Sequence, residues 1–269
     1  MKIALLQLNA MNDKKKNIQR AIELTLKAIG GGAEFILLPE VFNYRGVPDP
    51  KSGYHRIAET IPGESAIPFM IIARARKVSI LLGSIYEKAK GSKKVYNTSI
   101  FINADGEIKA EYRKMNLFDA HVDGKIFKES RYFLAGKKSI LTKVNGFKVG
   151  ISVCYDLRFP ELYRNYAKAK VDMVCVPSSF TRTTGRAHWE ILLRARAIEN
   201  LCYVLAPGQI GFLGGDRLQP VPAHGHSMVV DPWGSIVACG SGDKEEIVYA
   251  EVNKDKIIEA RQKLPGIVK

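Results

Sequence analysis

The sequence predicts an α/β or α+β fold, with a mixed β-sheet or two packed sheets flanked by helices, in one domain over residues 1–269. Three observations predict this fold. Strand-like and helix-like segments intermix along the whole chain, hairpins occur among them, and no Pro-, Gly- or Ser-rich linker divides the chain. With 269 residues, 46% of them hydrophobic, the chain can bury a large core.

The first third of the sequence predicts alternating strands and helices. Ile18, Ile22 and Ile29 follow helical spacing, and the glycines at 30–32 end that helix. Pro39 ends a short buried strand directly before Glu40. The predicted elements are strands over 2–8, 35–38 and 78–86 and helices over 12–29 and 63–76.

The middle of the sequence predicts two hairpins. Their turns are Asp105-Gly106 and Asn145-Gly146, dipeptides that suit the tight turns of hairpins. Residues 115–138, between the hairpins, are polar and predicted to be irregular. The hairpin strands are expected over 95–103 and 107–113, and over 139–144 and 147–153.

The last third again mixes both element types. Pro160 suits the first turn of a helix. The predicted elements are helices over 160–169, 188–200 and 255–264, strands over 171–176, 202–206 and 247–252, and a hairpin of 225–230 with 235–239.

The composition favours a globular protein with a basic surface. The formal charge is +14, but the lysines are dispersed and no aromatic residues interleave a basic stripe. A solvated surface is therefore the preferred interpretation, and nucleic-acid binding remains its rival. The surplus of positive charge can also favour an anionic substrate.

Cysteine usage and the N-terminus predict a cytoplasmic location. The four cysteines lie far apart without a CxxC pair, so we expect free thiols. Residues 1–7 turn polar at once, which does not fit a signal peptide, and no apolar run reaches the length of about 18 residues that spans a bilayer.

Three predicted strands each end at a reactive residue: Glu40, Lys114 and Cys154. Cys154 lies between a strand and the helix that begins at Pro160, an elbow that can present a thiol beside free backbone N–H groups. We expect a neighbouring cation to lower the pKa of this thiol. Position alone leaves a buried apolar cysteine as an equal alternative, the interpretation that Cys175, inside a strand, fits well.

The histidines predict neither a metal site nor a Cys–His pair. His224 and His226 form a His-Gly-His element, but no third ligand follows at short spacing. His188 and Trp189, at the start of a predicted helix, are expected to be structural, as is His226. A Glu–Lys pair is the other way to activate the thiol, with Glu moving the proton and Lys binding an oxyanion.

Three blocks resemble the signatures of the carbon–nitrogen hydrolase (nitrilase) superfamily, in its order and spacing. They are 37–40 (LLPE), 112–119 (YRKMNLFD) and 154–162 (CYDLRFPEL), and each contains one of the three strand-end residues. Further segments, 127–130, 180–189 and 225–234, resemble the small-amidase branch of that superfamily. The likeness extends over nearly the whole chain.

The resemblance implies a four-layer αββα sandwich that forms a homodimer through one helical layer, with no metal or other cofactor. It implies hydrolysis of a small carboxamide, such as the monoamide of a dicarboxylate, through a thioester on the cysteine. The catalytic residues it implies are Glu40, Lys114, Cys154 and a second glutamate, Glu129, and the substrate-binding residues are Tyr44, Tyr155 through its N–H, Arg158, Phe180 and Thr184.

Some alternatives stay open at this point. A nitrilase or an N-carbamoyl amide hydrolase would use the same scaffold. Arg158 can pair with a substrate carboxylate or with Glu161. The sequence departs from the branch at Arg186, where proline is usual, in the loop 208–223, and at Lys269, where it stops short of the usual Arg-rich tail. The first two departures bear on the substrate, and the third is expected to bear on subunit packing.

Overall fold

Two six-stranded mixed sheets form the centre of the structure, a computed structural model that describes residues 1–213 and 221–266. The first sheet has the order β16-β1-β2-β3-β4-β5, with β1 (Lys2–Gln7), β2 (Phe35–Leu37), β3 (Ser79–Lys88), β4 (Val95–Ile102), β5 (Ile108–Arg113) and β16 (Glu246–Glu251). The second has the order β15-β14-β11-β10-β9-β8, with β8 (Ile140–Val144), β9 (Phe147–Ile151), β10 (Met173–Cys175), β11 (Tyr203–Ala206), β14 (Met228–Val230) and β15 (Ile236–Cys239). Two small hairpins consist of β6 (Asp119–Val122) with β7 (Lys125–Lys128) and β12 (Phe212–Leu213) with β13 (Val221–Pro222).

Each large sheet is parallel at its centre and antiparallel toward its edges. Strands β1, β2 and β3 pair in parallel, as do β9, β10 and β11. The carboxyl ends of neighbouring parallel strands meet at one edge of a sheet, and loops at that edge are where α/β proteins build their sites. Glu40 follows β2, and Cys154 follows β9.

The described residues include five helices. Asp13 caps the first helix by accepting a hydrogen bond from the N–H of Lys16, and Thr181 caps the fourth by accepting one from the N–H of Thr184. The helices are α1 (Lys14–Gly30), α2 (Ile67–Arg76), α3 (Pro160–Lys168), α4 (Arg182–Asn200) and α5 (Lys254–Lys263).

The alternation of side chains along β1 explains the layers. Ile3 and Leu5 belong to the core shared with the second sheet, whereas Ala4 and Leu6 belong to the core shared with α1 and α2. The α3 and α4 helices pack on the other side of the second sheet, where Trp189 is buried. This arrangement is the four-layer αββα sandwich, so the predicted fold class is confirmed.

Three local predictions were wrong. The second helix begins at Ile67 rather than at Gly63, and Pro68 lies in its first turn, where proline is tolerated. The segment 115–138 is not irregular, because Asp123 and Gly124 form a tight turn with positive φ angles of 51° and 70° that connects β6 to β7. This Asp-Gly turn is the signal that the sequence interpretation passed over. The fourth helix begins at Arg182 rather than His188, because the Thr181 cap lies further upstream.

Across 1–213 and 221–266, none of the helices combines the length and apolar character needed to cross a membrane. All four cysteines are free thiols, and three of them are buried. The organisation of 1–269 as one domain stays a prediction, since residues 214–220 and 267–269, including part of the loop 208–223, lie outside the described chain.

Candidate active site

The site lies where the loops after β2, β5, β9 and β10 converge between the two sheets. Glu40 and Lys114 come from the first sheet, and Cys154 and Ser179 come from the second. They line a cavity of about 370 Å³, and the three predicted triad residues are at most 8% exposed. The structure therefore brings together the three strand-end residues from segments far apart in sequence.

Cys154 occupies a backbone conformation that few side chains adopt. Its φ angle is +50°, in the left-handed region, and it opens a 3-10 turn over Cys154–Arg158 directly after β9. Such strained positions persist only where the surroundings hold them, and they cluster at active sites. The cysteine N–H donates to the carbonyl of Pro177 at 3.0 Å, which anchors the elbow to the segment after β10.

The carboxylate of Glu40 receives three donors. Oε1 accepts from Lys114 Nζ at 3.0 Å and from Asn97 Nδ2 at 2.9 Å, and Oε2 accepts from the N–H of Ser179 at 2.9 Å. The negative charge of this carboxylate also raises the pKa of the Cys154 thiol. Glu40 is thus held in one orientation in the cavity that Cys154 also lines.

Lys114 lies between two carboxylates. Its Nζ is 3.0 Å from Glu40 Oε1 and 3.0 Å from Glu129 Oε2. Burial acts to lower the pKa of Lys114, but the charges of Glu129 and then Glu40 outweigh it and raise that pKa well above its ordinary value. Lys114 is therefore a permanent cation next to the sulfur.

Glu129 is fixed by a second contact, since its carboxylate also accepts a hydrogen bond from the N–H of Phe118. Burial raises the pKa of Glu129, and the charge of Lys114 opposes that rise. Glu129 lines the cavity, together with Lys114 and Glu40. Glu129 lies directly after β7, whereas Lys114 and Phe118 lie before β6. The two hydrogen bonds of Glu129 therefore tie the end of the β6–β7 hairpin to the segment that leads into it.

The electrostatics of the thiol differ from the sequence expectation. Burial, followed by the negative charge of Glu40, raises the pKa of the Cys154 thiol well above its ordinary value, and Lys114 offsets this only in part. The prediction of a lowered thiol pKa was wrong, because it counted the cation but not the burial and the carboxylate. At rest the sulfur holds its proton, and a base has to remove it.

The predicted substrate-binding residues fall into two groups. Tyr155, Arg158, Phe180 and Thr184 line the cavity. Tyr44 is not among its lining residues, because Tyr86 forms that part of the wall and Tyr44 packs edge-on against it, with ring centroids 6.3 Å apart. Tyr44 therefore lies behind Tyr86, one aromatic ring further from the cavity than predicted.

Arg158 does not form the alternative pair with Glu161. Its guanidinium lies 5.3 Å from the ring centroid of Phe180 and 5.7 Å from that of Tyr155, and its Nη1 is 3.2 Å from His188 Nδ1. Among the residues that the structure describes, no carboxylate pairs with it. His188 thus contacts a cavity residue, whereas Trp189 is structural as expected and donates to the carbonyl of His226 at 2.8 Å.

Sequence reasoning missed three supporting residues. Ser179 lies just after β10, so the strand-end rule that found Glu40 applied to it as well. Asn97 lies inside β4, and nothing in its sequence position distinguishes it. Asp156 belongs to the cysteine block and accepts from the N–H of Val153 at 2.9 Å, which fixes the turn that presents the thiol.

Metal ligation has no support in the described ranges, where no group of three His, Cys, Asp or Glu side chains is arranged to hold an ion. His224 and His226 stack on each other, with ring centroids 4.4 Å apart and planes inclined by 22°. Burial, with the charge of His226 next, lowers the pKa of His224 to about 4. This pair packs behind Trp189 rather than in the cavity.

Comparison with known proteins identifies the family. The family model described as carbon-nitrogen hydrolase matches residues 2–262. The deaminated glutathione amidase of Synechocystis sp. is 38% identical over 268 residues, 98% of this chain and 96% of that protein, and the omega-amidase NIT2 of Bos taurus is 38% identical over 265 residues, 98% and 92%. The crystal structure of the C. elegans NitFhit protein superposes with a TM-score of 0.89 at 36% identity; the alignment covers 98% of this chain and 63% of that longer one. The chain belongs to the carbon–nitrogen hydrolase family, whose members hydrolyse carbon–nitrogen bonds other than peptide bonds.

Proposed function

We propose that the protein hydrolyses the C–N bond of a small carboxamide to a carboxylic acid and ammonia, with Cys154 as nucleophile. The observation that carries this proposal is the strained, buried cysteine that lines one cavity with a carboxylate held by a buried lysine. The family relatives named above, an omega-amidase and a deaminated glutathione amidase, support an amide as substrate.

The first half-reaction forms a thioester. Glu40 takes the thiol proton as the sulfur of Cys154 attacks the carbonyl carbon, and the same proton passes to the departing ammonia as the C–N bond breaks. The high pKa of the buried thiol makes this base necessary, because little thiolate exists before the attack.

The tetrahedral intermediate carries an oxyanion. We assign its stabilisation to Lys114 Nζ and to the backbone N–H of Tyr155, the second residue of the 3-10 turn, where N–H groups have no acceptor within the turn. One such donor contributes about 2.7–4 kcal/mol to the transition state. Glu129 holds Lys114 in place and lies at the cavity wall, where it can also receive the amide nitrogen.

The second half-reaction returns the free enzyme. Glu40 removes a proton from water, the resulting hydroxide attacks the thioester, and the carboxylic acid leaves as the sulfur regains its proton. Atoms balance over the cycle, since one amide and one water give one acid and one ammonia. No cofactor enters any of these steps.

The acyl group is proposed to carry a carboxylate. Arg158 lines the cavity, is stacked on two aromatic rings and has no carboxylate partner among the described residues. Its planar guanidinium suits bidentate recognition of a carboxylate. Phe180 and Thr184 complete this side of the wall, and a monoamide of a short dicarboxylate fits the arrangement.

The test is a substrate panel scored by ammonia release: α-ketoglutaramate, succinamate, deaminated glutathione, simple nitriles and carbamoyl amino acids. We expect turnover of the monoamides, a covalent adduct on Cys154 by mass spectrometry, and no turnover by Cys154→Ala. Cys239→Ala removes the exposed thiol and serves as the matched control that keeps full activity. Ordinary turnover by Cys154→Ala would refute the proposal, and a preference for nitriles or carbamoyl compounds would reassign the substrate.

We further propose a homodimer formed through the α3–α4 layer. Ile191 and Ile198 on α4 are 69% and 43% exposed, and Trp233 in the neighbouring turn is 54% exposed, which is unusual for large apolar side chains near one another. Sedimentation equilibrium should give a dimer for the unmodified chain and a monomer for Ile191→Glu. A monomer for the unmodified chain at micromolar concentration would refute this part.

We also propose that the enzyme acts in the cytoplasm, because the free thiols of Cys154 and the exposed Cys239 need a reducing compartment to stay free. Cell fractionation with an antibody against the native protein tests this. Recovery in an oxidising compartment would contradict it.

A further inference from the structure

The guanidinium of Arg158 is held at its edge by a residue to which the proposed function gives no role. Nη1 of Arg158 is 3.2 Å from Nδ1 of His188, on α4. Arginine has only N–H donors, so Nδ1 of His188 accepts this hydrogen bond and the proton of its ring lies on Nε2. His188 comes one helical turn after Thr184, a residue of the cavity wall. The two residues therefore share the face of α4 that borders the cavity.

The same guanidinium lies over two aromatic rings. It is 5.3 Å from the ring centroid of Phe180 and 5.7 Å from that of Tyr155. Phe180 packs against the buried Trp189, with ring centroids 4.8 Å apart. Two consecutive residues of α4 thus act on one guanidinium, since Trp189 supports the ring below it and His188 contacts its edge.

The backbone next to Arg158 is fixed by a separate contact with α4. Arg196, which is 5% exposed, donates from Nε to the carbonyl of Leu157 at 3.0 Å. Leu157 directly precedes Arg158, the last residue of the 3-10 turn that begins at Cys154. The backbone of Arg158 is therefore placed without His188, and the contribution of His188 is the orientation of the end of the side chain.

That orientation decides which donors of Arg158 are left for a ligand. Contact with a ring places a cation over the ring but does not fix the direction of its N–H groups. The hydrogen bond from Nη1 to His188 fixes that direction. Nε and Nη2, along another edge of the guanidinium, have no hydrogen-bond partner among the residues that the structure describes. A pair of neighbouring N–H donors of this kind matches the two oxygens of a carboxylate.

We propose that His188 is a positioning residue for Arg158, whose Nη1 it holds so that the Nε–Nη2 edge meets the carboxylate of the acyl group. The inference rests on the proposed function in one respect, that Arg158 receives this carboxylate. His188 is not among the residues that line the cavity, so it acts through Arg158. It thereby determines the selectivity for charged amides, a role that the sequence interpretation of His188 as structural did not include.

Two substitutions separate the hydrogen-bond acceptor from the stability of the helix. In His188→Leu a methyl group takes the place of Nδ1, and in His188→Asn an oxygen takes that place and can still accept. His188 is exposed on α4, where leucine favours the helix more than histidine or asparagine does. We therefore expect His188→Leu to be at least as stable as the unmodified chain but impaired, and His188→Asn to be no more stable but active. A role in stability alone would give the opposite order.

The kinetic test compares two amides of equal chain length, succinamate with a carboxylate and butyramide without one. His188→Leu should raise KM for succinamate about tenfold, the effect of losing one hydrogen bond that supports a charged group. It should leave kcat for succinamate and kcat/KM for butyramide unchanged, and His188→Asn should keep the KM of the unmodified chain. Gln262→Leu makes the same kind of change on the exposed surface of α5 and should alter none of these constants.

Succinate binding gives a readout that needs no turnover. The Kd of succinate, measured by isothermal titration calorimetry, should rise about tenfold in His188→Leu and stay the same in His188→Asn. Because the effect of His188 passes through Arg158, His188→Leu should cause no further loss in an Arg158→Gln background.

Every outcome decides for or against the role of His188. An unchanged succinate Kd in His188→Leu overturns the proposal, as does a further loss in the Arg158→Gln background or an equal loss on butyramide. A loss in His188→Asn as large as that in His188→Leu overturns the role of the acceptor. If His188→Leu does not fold, His188→Ala also lacks the acceptor and takes its place in each comparison. If the unmodified chain hydrolyses no amide but the variants bind succinate in the expected order, the proposed function fails and the inference about His188 stands.

Discussion

The hydroxyl of Tyr112 donates a hydrogen bond of 2.7 Å to Oδ2 of Asp156, and both side chains are fully buried. Tyr112 lies two residues before Lys114 on β5, and Asp156 lies two residues after Cys154 in the 3-10 turn. Asp156 Oδ1 also accepts from the N–H of Asn116 at 2.8 Å. One carboxylate therefore ties the segment that carries Lys114 to the turn that carries Cys154.

The first prediction concerns Asp156. Asp156→Asn should lower the free energy of unfolding by about 2 kcal/mol, because an amide presents donors to the N–H and O–H groups that the carboxylate accepts from. It should also lower kcat at least tenfold, because the contact that fixes the distance between Lys114 and Cys154 is weakened. Urea unfolding and ammonia release measure the two effects. Tyr112→Phe, which removes one bond, should cost about 1 kcal/mol; a loss as large as that of Asp156→Asn would contradict this account.

The second prediction concerns the close approach of β3 to the chain before Glu40. A Cβ atom on Gly83 would lie 2.1 Å from the carbonyl oxygen of Leu38 and 2.3 Å from that of Pro39, and both are backbone atoms. Gly83→Ala should therefore displace Glu40, lower kcat/KM strongly and cost about 1–3 kcal/mol of stability.

The matched control for that prediction is Gly30→Ala at the end of α1, where an added Cβ would meet nothing within 4 Å. It should keep full activity and leave the melting temperature equal or slightly higher, because alanine stabilises a helix relative to glycine. Calorimetry and initial rates decide. Equal activity of the Gly83→Ala and Gly30→Ala proteins would show that Glu40 does not depend on this approach.

The third prediction concerns the selectivity of the cavity. Arg158→Gln should raise KM about tenfold or more for monoamides that carry a carboxylate and change KM little for neutral amides, since the lost interaction is with that carboxylate. Arg76→Gln removes the same charge from the exposed end of α2 and should leave both KM values unchanged. Parallel losses on charged and neutral amides would assign Arg158 to structure instead.

The fourth prediction concerns acid stability. The pKa of His224 is lowered from its ordinary value of 6.5 to about 4 because burial favours the neutral ring. Its contribution to stability is therefore present above pH 6.5 and is lost as the pH falls from 6.5 through about 4.

The measurement is the free energy of unfolding by urea at several pH values between about 4 and 8. His224→Phe keeps an aromatic ring next to His226 and Trp189 but cannot be protonated, so its stability should fall less steeply over this range. The same slope in both proteins would count against His224 as the responsible group.

Much of the fold could be predicted because its signals are local. The helical spacing in α1, the Asn145-Gly146 turn and Pro160 each act within a few residues, and the elements they predict are present. The start of α4 was missed because its cap, Thr181, is followed by a polar first turn rather than an apolar one. The order of strands in the two sheets is non-local, so periodicity could not supply it, and the family resemblance supplied only the four layers.

The sequence predicted which strand-end residues lie together in the cavity, but it did not predict the residues that hold them there. Glu40, Lys114 and Cys154 each end a strand, a position visible in sequence. Asp156 contacts Tyr112, 44 residues away in the sequence, and Arg45 contacts Gln209, 164 residues away. No local sequence pattern encodes these contacts. The direction of the thiol pKa shift likewise depends on burial, which a sequence does not state.

Because the proposed base and the lysine follow strands of one sheet and the proposed nucleophile follows a strand of the other, secondary structure alone does not assemble the site. A newly synthesised chain in which both sheets have formed but have not yet packed holds every reacting residue and remains inert. Its cysteine is then an ordinary thiol, without the carboxylate that receives its proton. Catalytic competence thus appears together with the last long-range contacts of folding, and the appearance of activity during refolding should follow the burial of the core rather than the formation of helices and strands.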